Sequence, residues 1–196
     1  MAETPSNMLP LGTKAPDFEL LDPKDNKKKS LNELKSDKAT VILFICNHCP
    51  YVKHINDKLV DLANEYKKQG VSFIAINSND VENYPEDSPE KMVEYSNKLG
   101  YSFPYLFDET QEVAKEYKAA CTPDMFVFDG DLKLTYRGQF DDSRPGNDKP
   151  VTGKDLANGI DKTLAGDPIP DEEQTPSVGC NIKWKENNKP DYASVN

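Results

Sequence analysis

Two stretches of the chain, residues 40–45 and 71–76, read as largely apolar runs rich in β-branched residues. Each predicts a strand covered on both faces. Between them Val52, Ile55, Leu59, Leu62, Ala63 and Tyr66 recur at helical spacing, and Gly70 ends the pattern. A strand, a helix and a second strand of this kind form a βαβ unit, so the two strands should be parallel. A further helix is punctuated at both ends, by Ser88 as cap and Pro89 in the first turn, then by Gly100 after Leu99. A third is predicted over residues 109–118 behind Asp108, with Gln111 placed for a capping box.

Hairpin signals stand at both ends of this central block. Residues 18–20 and 27–30 flank Asp25-Asn26, and residues 125–128 and 132–136 surround Asp129-Gly130. A last helix is predicted from about Thr152 to Gly166. The order hairpin, strand, helix, strand, helix, helix, hairpin, helix predicts an α/β protein with a mixed central sheet and helices on both faces. Residues 1–16 read as a loose lead-in. From Asp167 onward Pro168, Pro170 and Pro176 alternate with acidic residues. This predicts one domain over 1–166 and an extended tail over 167–196. Trp184, the single tryptophan, is an apolar anchor that would dock the tail on the domain.

Composition narrows the partners. The 196 residues carry a formal charge of −10, with 30% charged and 36% hydrophobic residues. A chain this acidic repels phosphates, which argues against nucleic acid and anionic membranes. No apolar stretch is long enough to span a bilayer, and the first residues lack a signal-peptide pattern. The expected location is the cytoplasm. Four cysteines kept mostly reduced there are better suited to reactivity or burial than to permanent cross-links.

The chemistry centres on Cys46-Asn47-His48-Cys49-Pro50. Cys49 stands where a buried strand passes into a helix, and the unpaired N–H groups of that helix end stabilise a thiolate. Cys46, three residues earlier, completes a C-x-x-C that reads either as a redox motif or as a buried strand-end thiol. His48 is placed to assist the thiolate as a cation. Cys46, His48, Cys49 and His54 form a conceivable zinc set, but their spacing matches no common finger, so no metal and no cofactor are expected. Arg137 and Arg144 are the only arginines, and Arg144 lies in a turn-rich loop where an ion pair with Asp141 or Asp142 is the simpler role. Cys180 reads as a packing thiol of the tail.

With Gly12-Thr13-Lys14-Ala15-Pro16-Asp17-Phe18 near the start and Cys121-Thr122-Pro123 before the second hairpin, the layout resembles the thioredoxin fold. Within it the chain resembles the alkyl hydroperoxide reductase and thiol-specific antioxidant superfamily, a peroxiredoxin-like branch. The resemblance implies that Pro123 is a cis-proline and that Thr122-Pro123 faces the active cysteine. Aligned on Phe44, Cys49 takes the place of the attacking thioredoxin cysteine and Val52 that of the resolving one. The peroxidatic cysteine of peroxiredoxins falls at that second position too, and their P-x-x-x-[TS]-x-x-C motif fits neither Cys46 nor Cys49. The segments 46–53, 120–124, 138–147 and 179–184 resemble an uncharacterised peroxiredoxin-like subgroup.

These features lead to thiol–disulfide oxidoreduction with Cys49 as attacking thiolate, and to protein or small-molecule thiols and disulfides as partners. Peroxide reduction through a Cys49 sulfenic acid is the alternative, and a non-catalytic redox sensor or binding module is the third. A homo-oligomer is compatible with all three. Because the cis-proline loop of this fold faces the active cysteine, Cys121 ranks first as the thiol that resolves Cys49, with Cys46 second.

Overall fold

The computed structural model describes residues 3–194. Strand β1 (Glu3–Pro5) is followed by a hairpin of β2 (Glu19–Asp22) and β3 (Lys27–Ser30), then by the short helix α1 (Leu31–Leu34). Next come β4 (Ala39–Phe44), helix α2 (Pro50–Lys67), β5 (Val71–Asn77), helix α3 (Pro89–Leu99), β6 (Tyr105–Phe107) and helix α4 (Glu112–Glu116). The chain closes with β7 (Cys121–Thr122), β8 (Asp124–Asp129), β9 (Leu134–Arg137), helix α5 (Lys154–Leu164) and β10 (Val178–Asn181).

Seven strands form one mixed sheet in the order β3-β2-β6-β5-β4-β8-β9. As the βαβ pattern requires, β4 and β5 are parallel, and β8 runs antiparallel on the other side of β4. All six residues of β4 are buried, because both faces of the sheet are covered. Val41 and Leu43 join α2 and α5 residues such as Leu59 and Ile160 in one core. Ile42 and Phe44 point the other way, into a core with Leu31, Ala114 and Tyr117. This alternation is the two-residue period of a strand expressed in a sheet with helices on both faces.

Several local expectations need correction. The lead-in is not loose throughout: Glu3–Pro5 pairs antiparallel with Val178–Cys180. The third helix is short, and no capping box forms. Gln111 stands at its N-cap with left-handed φ of 66° and sends its amide to the carbonyls of Ser78 and Lys183 instead. The buried Asp108 carboxylate takes over the cap by accepting the Val113 and Ala114 N–H groups. A capping box is found at α1, between Ser30 and Glu33. Arg144 pairs with no carboxylate among the described residues; its guanidinium donates to the Asp141 and Ser143 carbonyls and to Gln139.

The segment after Gly166 lies against the rest of the protein. Buried Arg137 holds its start through Asp171 at 2.6 Å and Gln174 at 2.9 Å. Its middle, β10, joins a second, three-stranded sheet in the order β1-β10-β7. Beyond β10, Asp80 N–H donates to the Lys183 carbonyl, and Trp184 packs edge-on against Tyr192. Gly179 sets how closely β10 approaches, because a Cβ there would run into the Thr122 carbonyl oxygen. Gly179→Ala is therefore expected to lower the unfolding free energy by about 1–3 kcal/mol, the usual cost of overpacking, and to speed proteolysis within residues 167–194. Urea melts and limited proteolysis check this; an unchanged melt and digest would contradict the tight seat of β10.

Candidate active site

Three elements meet at Cys49. The end of β4 leads through Cys46 and Asn47 to Cys49, which is the N-cap of α2 with Pro50 at the first helical position. Strand pairing sets Phe44 opposite Asp124, which places the Thr122–Pro123 turn beside the segment that follows β4. The Thr122–Pro123 peptide bond is cis. Cys49 Sγ lies 3.3 Å from the Thr122 carbonyl oxygen, and Cys46 Sγ lies 3.6 Å from Thr122 Oγ1. The third element is β10, which packs on α2 and pairs Cys180 with Thr122.

The four cysteines are all free and all buried, yet their acidities diverge. The Cys49 thiol is pulled down to about 5, chiefly because the Cys46 thiol donates to its sulfur. Burial opposes this, and smaller pulls come from the Cys180 thiol, the Thr122 hydroxyl and the Val52 N–H of the first helical turn. Donating to a neighbouring thiolate holds Cys46 well above the ordinary thiol range, and burial and the Asp87 carboxylate add to that. Burial pushes Cys121 well up, and burial with donation to Cys49 pushes Cys180 up to about 12. In its protonated form Cys49 donates to the Thr122 carbonyl; once ionised, it accepts from the groups around it.

Asp87 is the site residue that no sequence pattern marked. It arrives from 40 positions beyond Asn47 and is fully buried. Its carboxylate accepts from Asn47 N–H at 2.7 Å and Asn79 Nδ2 at 2.8 Å, and lies 2.7 Å from His48 Nδ1. Burial alone would raise this carboxyl, but His48, Asn79 and the Asn47 N–H together bring it below its usual value. The same pairing raises His48 above its ordinary value. The His48 ring stacks on Tyr84 at 5.7 Å. His48 is thus tied to the candidate site through Asp87.

Of the metal donors weighed from the sequence, His54 is turned to Ser143 Oγ at 3.1 Å. Cys46, His48 and Asp87 each bring one donor atom within 4.8 Å of the others, so a cation seated here would displace the His48–Asp87 pair. The Cys121 sulfur lies 3.6 Å from the Pro123 carbonyl oxygen. Neither arginine enters the site: Arg137 clamps the tail and Arg144 holds its own loop.

Residues 11–137 match the AhpC/TSA family. The chain belongs to that family. An uncharacterized conserved protein from Geobacillus kaustophilus is 60% identical, with 94% of this chain and 97% of that one aligned at a TM-score of 0.91. A hypothetical protein from Sinorhizobium meliloti is 47% identical over 93% and 98% of the two chains, with a TM-score of 0.89. The fold alone is shared with the thioredoxin domain of a thiol-disulfide oxidoreductase from Bacteroides vulgatus, 15% identical over 78% and 99% of the chains, TM-score 0.60. No curated protein matches this sequence. AhpC/TSA membership and the thioredoxin-like fold together support a thioredoxin-like redox function. No helix among the described residues of this AhpC/TSA protein is long and apolar enough to cross a membrane.

Two measurements test the site's electrostatics. Thiolate ultraviolet absorbance followed against pH should show a midpoint near 5 that is absent in Cys49→Ser. In Cys46→Ala it should move up by at least about one pH unit, since the strongest donor is gone. An unmoved midpoint would remove Cys46 from that role. Asp124, next to Pro123, is fully buried, with one carboxylate oxygen unpartnered among the described residues. Burial raises its carboxyl from 3.8 to about 6, so the folded protein keeps a proton that the unfolded chain releases, and stability falls as pH rises through that window. Asp124→Asn should remove this slope, gaining on wild type by roughly 2–3 kcal/mol between acid and neutral pH. A parallel pair of stability–pH curves would contradict it.

Proposed function

We propose that this AhpC/TSA protein is a thiol–disulfide oxidoreductase in which Cys49 is the attacking thiolate. The observation that carries this reading is the placement of Cys49 as the N-cap of α2, its sulfur 3.3 Å from the Thr122 carbonyl of the cis-proline turn, with Cys46 at the same turn. The direction of the shifts, Cys49 down and Cys46 up, agrees with it. At neutral pH Cys49 is then a nucleophile and its neighbours are proton donors. The thiolate attacks one sulfur of a disulfide, a mixed disulfide forms at Cys49, and the other half leaves as a thiolate that takes up a proton. A second thiol of the protein then attacks Cys49, releasing the bound half. The protein ends oxidised by two electrons and the substrate reduced by two, and an external thiol or dithiol restores the reduced state. Protein or small-molecule disulfides are the substrates, and Thr122 and Pro123 line the seat of the sulfur. Donation to Cys49 and burial keep Cys46 protonated, and Asp87, paired with His48, adds to that. A reducing compartment such as the cytoplasm suits four free thiols.

A second reading has its own observation. Cys49 is 0% exposed, a setting that favours a very small oxidant over a protein disulfide. Attack on the O–O bond of a hydroperoxide would leave a Cys49 sulfenic acid and release the alcohol or water, making the protein an antioxidant. Insulin reduction with a dithiol reductant and hydroperoxide consumption, run side by side on wild type and Cys49→Ser, separate the two. Wild type is expected to reduce insulin faster than it consumes peroxide, with both rates at background in the variant. Peroxide consumption alone would select the second reading. Rates that survive Cys49→Ser would overturn both.

A further inference from the structure

Cys180 sits where a resolving thiol is needed. Strand β10 is held at both ends, by Ser177 Oγ on the Pro123 carbonyl at 2.6 Å and by Ile182 N–H on the Ala120 carbonyl at 3.1 Å. Between these anchors Cys180 pairs with Thr122, the residue whose carbonyl oxygen lies 3.3 Å from Cys49 Sγ. Cys180 and Cys49 therefore flank the same peptide unit and share one buried cluster. A side chain at 179 would push β10 away from Thr122, so the glycine there is what lets Cys180 come in. The strand also occupies the edge of β7 that an incoming extended chain would otherwise pair with.

Two other thiols compete for the role. Cys121 points its sulfur at the Pro123 carbonyl. Cys46 is close to Cys49, but its sulfur also lies within 4.8 Å of an Asp87 oxygen, and that carboxylate opposes loss of its proton. A thiol must ionise to attack. At Cys180 the ammonium of Lys183, held by Asn181 Oδ1 at 2.9 Å, favours the ionised form. Burial and the Cys49 thiolate oppose it; the thiolate's part is gone, at Cys180 and Cys46 alike, once Cys49 is bound in a mixed disulfide, whereas the Asp87 charge beside Cys46 remains.

We infer that Cys180, delivered by β10, is the thiol that resolves the Cys49 mixed disulfide; this rests on Cys49 being the attacking thiolate. The Cys180 sulfur, losing its proton, bonds to Cys49 Sγ. The bond from Cys49 to the substrate sulfur breaks, and the substrate half leaves as a thiolate that takes the proton. Cys46 stays reduced throughout as a positioning residue that holds Cys49 ionised.

Reduced full-length protein treated with one equivalent of 2-hydroxyethyl disulfide, quenched in acid, alkylated and mapped by mass spectrometry decides the matter. The expected product is a Cys49–Cys180 bridge with both halves of the probe released as 2-mercaptoethanol. Cys46→Ser should still form this bridge, and Cys180→Ser should stop with a 2-hydroxyethylthio adduct on Cys49. The wild-type map alone is sufficient if a variant fails to fold. A dominant Cys46–Cys49 or Cys49–Cys121 bridge, or a lasting Cys49 adduct in wild type, would overturn the role of Cys180 and leave Cys49 as nucleophile. Absence of any adduct or bridge at Cys49 would overturn both.

Discussion

The joint burial of Cys46 and Cys49, three residues apart against Thr122, organises this site. Two buried thiols three residues apart cannot both ionise, because each thiolate would repel the other in a medium that screens poorly. One must keep its proton and donate it. The surroundings favour Cys49 as the ionised one: it has the helix end and the donors, while Cys46 donates to it, is buried, and has the Asp87 carboxylate nearby. Much of the surrounding structure maintains that asymmetry. Asp87 is buried with three partners, His48 stacks on Tyr84 to stay against it, and Lys183 Nζ lies 5.8 Å from the centre of the same Tyr84 ring.

The same arrangement limits access. Covering Cys49 removes water from around its donors, which strengthens them, but it also keeps substrates out. Strand β10 packs on α2 beside Cys49, β1 pairs with β10, and the Tyr51 hydroxyl of α2 ties to the Glu3 carboxylate of β1. Short strands from the two ends of the sequence, paired over only a few residues, are the part of the fold that can yield with the least loss of core. The central sheet, with β4 buried on both faces, stays fixed under them.

The long elements were legible in the sequence for a physical reason. In β4, β5, α2 and α3 the pattern of burial is local: each residue's face follows from the strand or helix period, and Ser88 and Gly100 cap α3 where their chemistry indicates. The corner that carries Cys49 was legible too, since a cysteine between a strand and a helix is defined by its immediate neighbours. What escaped depended on partners far away in the chain. Strands β1, β6, β7 and β10 are two to four residues long and exist only through their pairing. Gln111 forms no capping box, and its amide donates instead to the distant Ser78 and Lys183 carbonyls. Asp87 meets Asn47 across 40 positions, and Cys180 follows Cys49 by 180 − 49 = 131 positions. Only tertiary packing brings them to the site, and no local spacing encodes that.

The most direct test is the ionisation of each cysteine in the reduced, full-length protein, read from the chemical shift of its β-carbon as pH is varied. Cys49 alone should titrate in the acid range, near pH 5, while Cys46, Cys121 and Cys180 stay protonated through neutral pH. A Cys49 signal that does not move below the ordinary thiol range, or a Cys46 signal that titrates in its place, would contradict the placement of that proton.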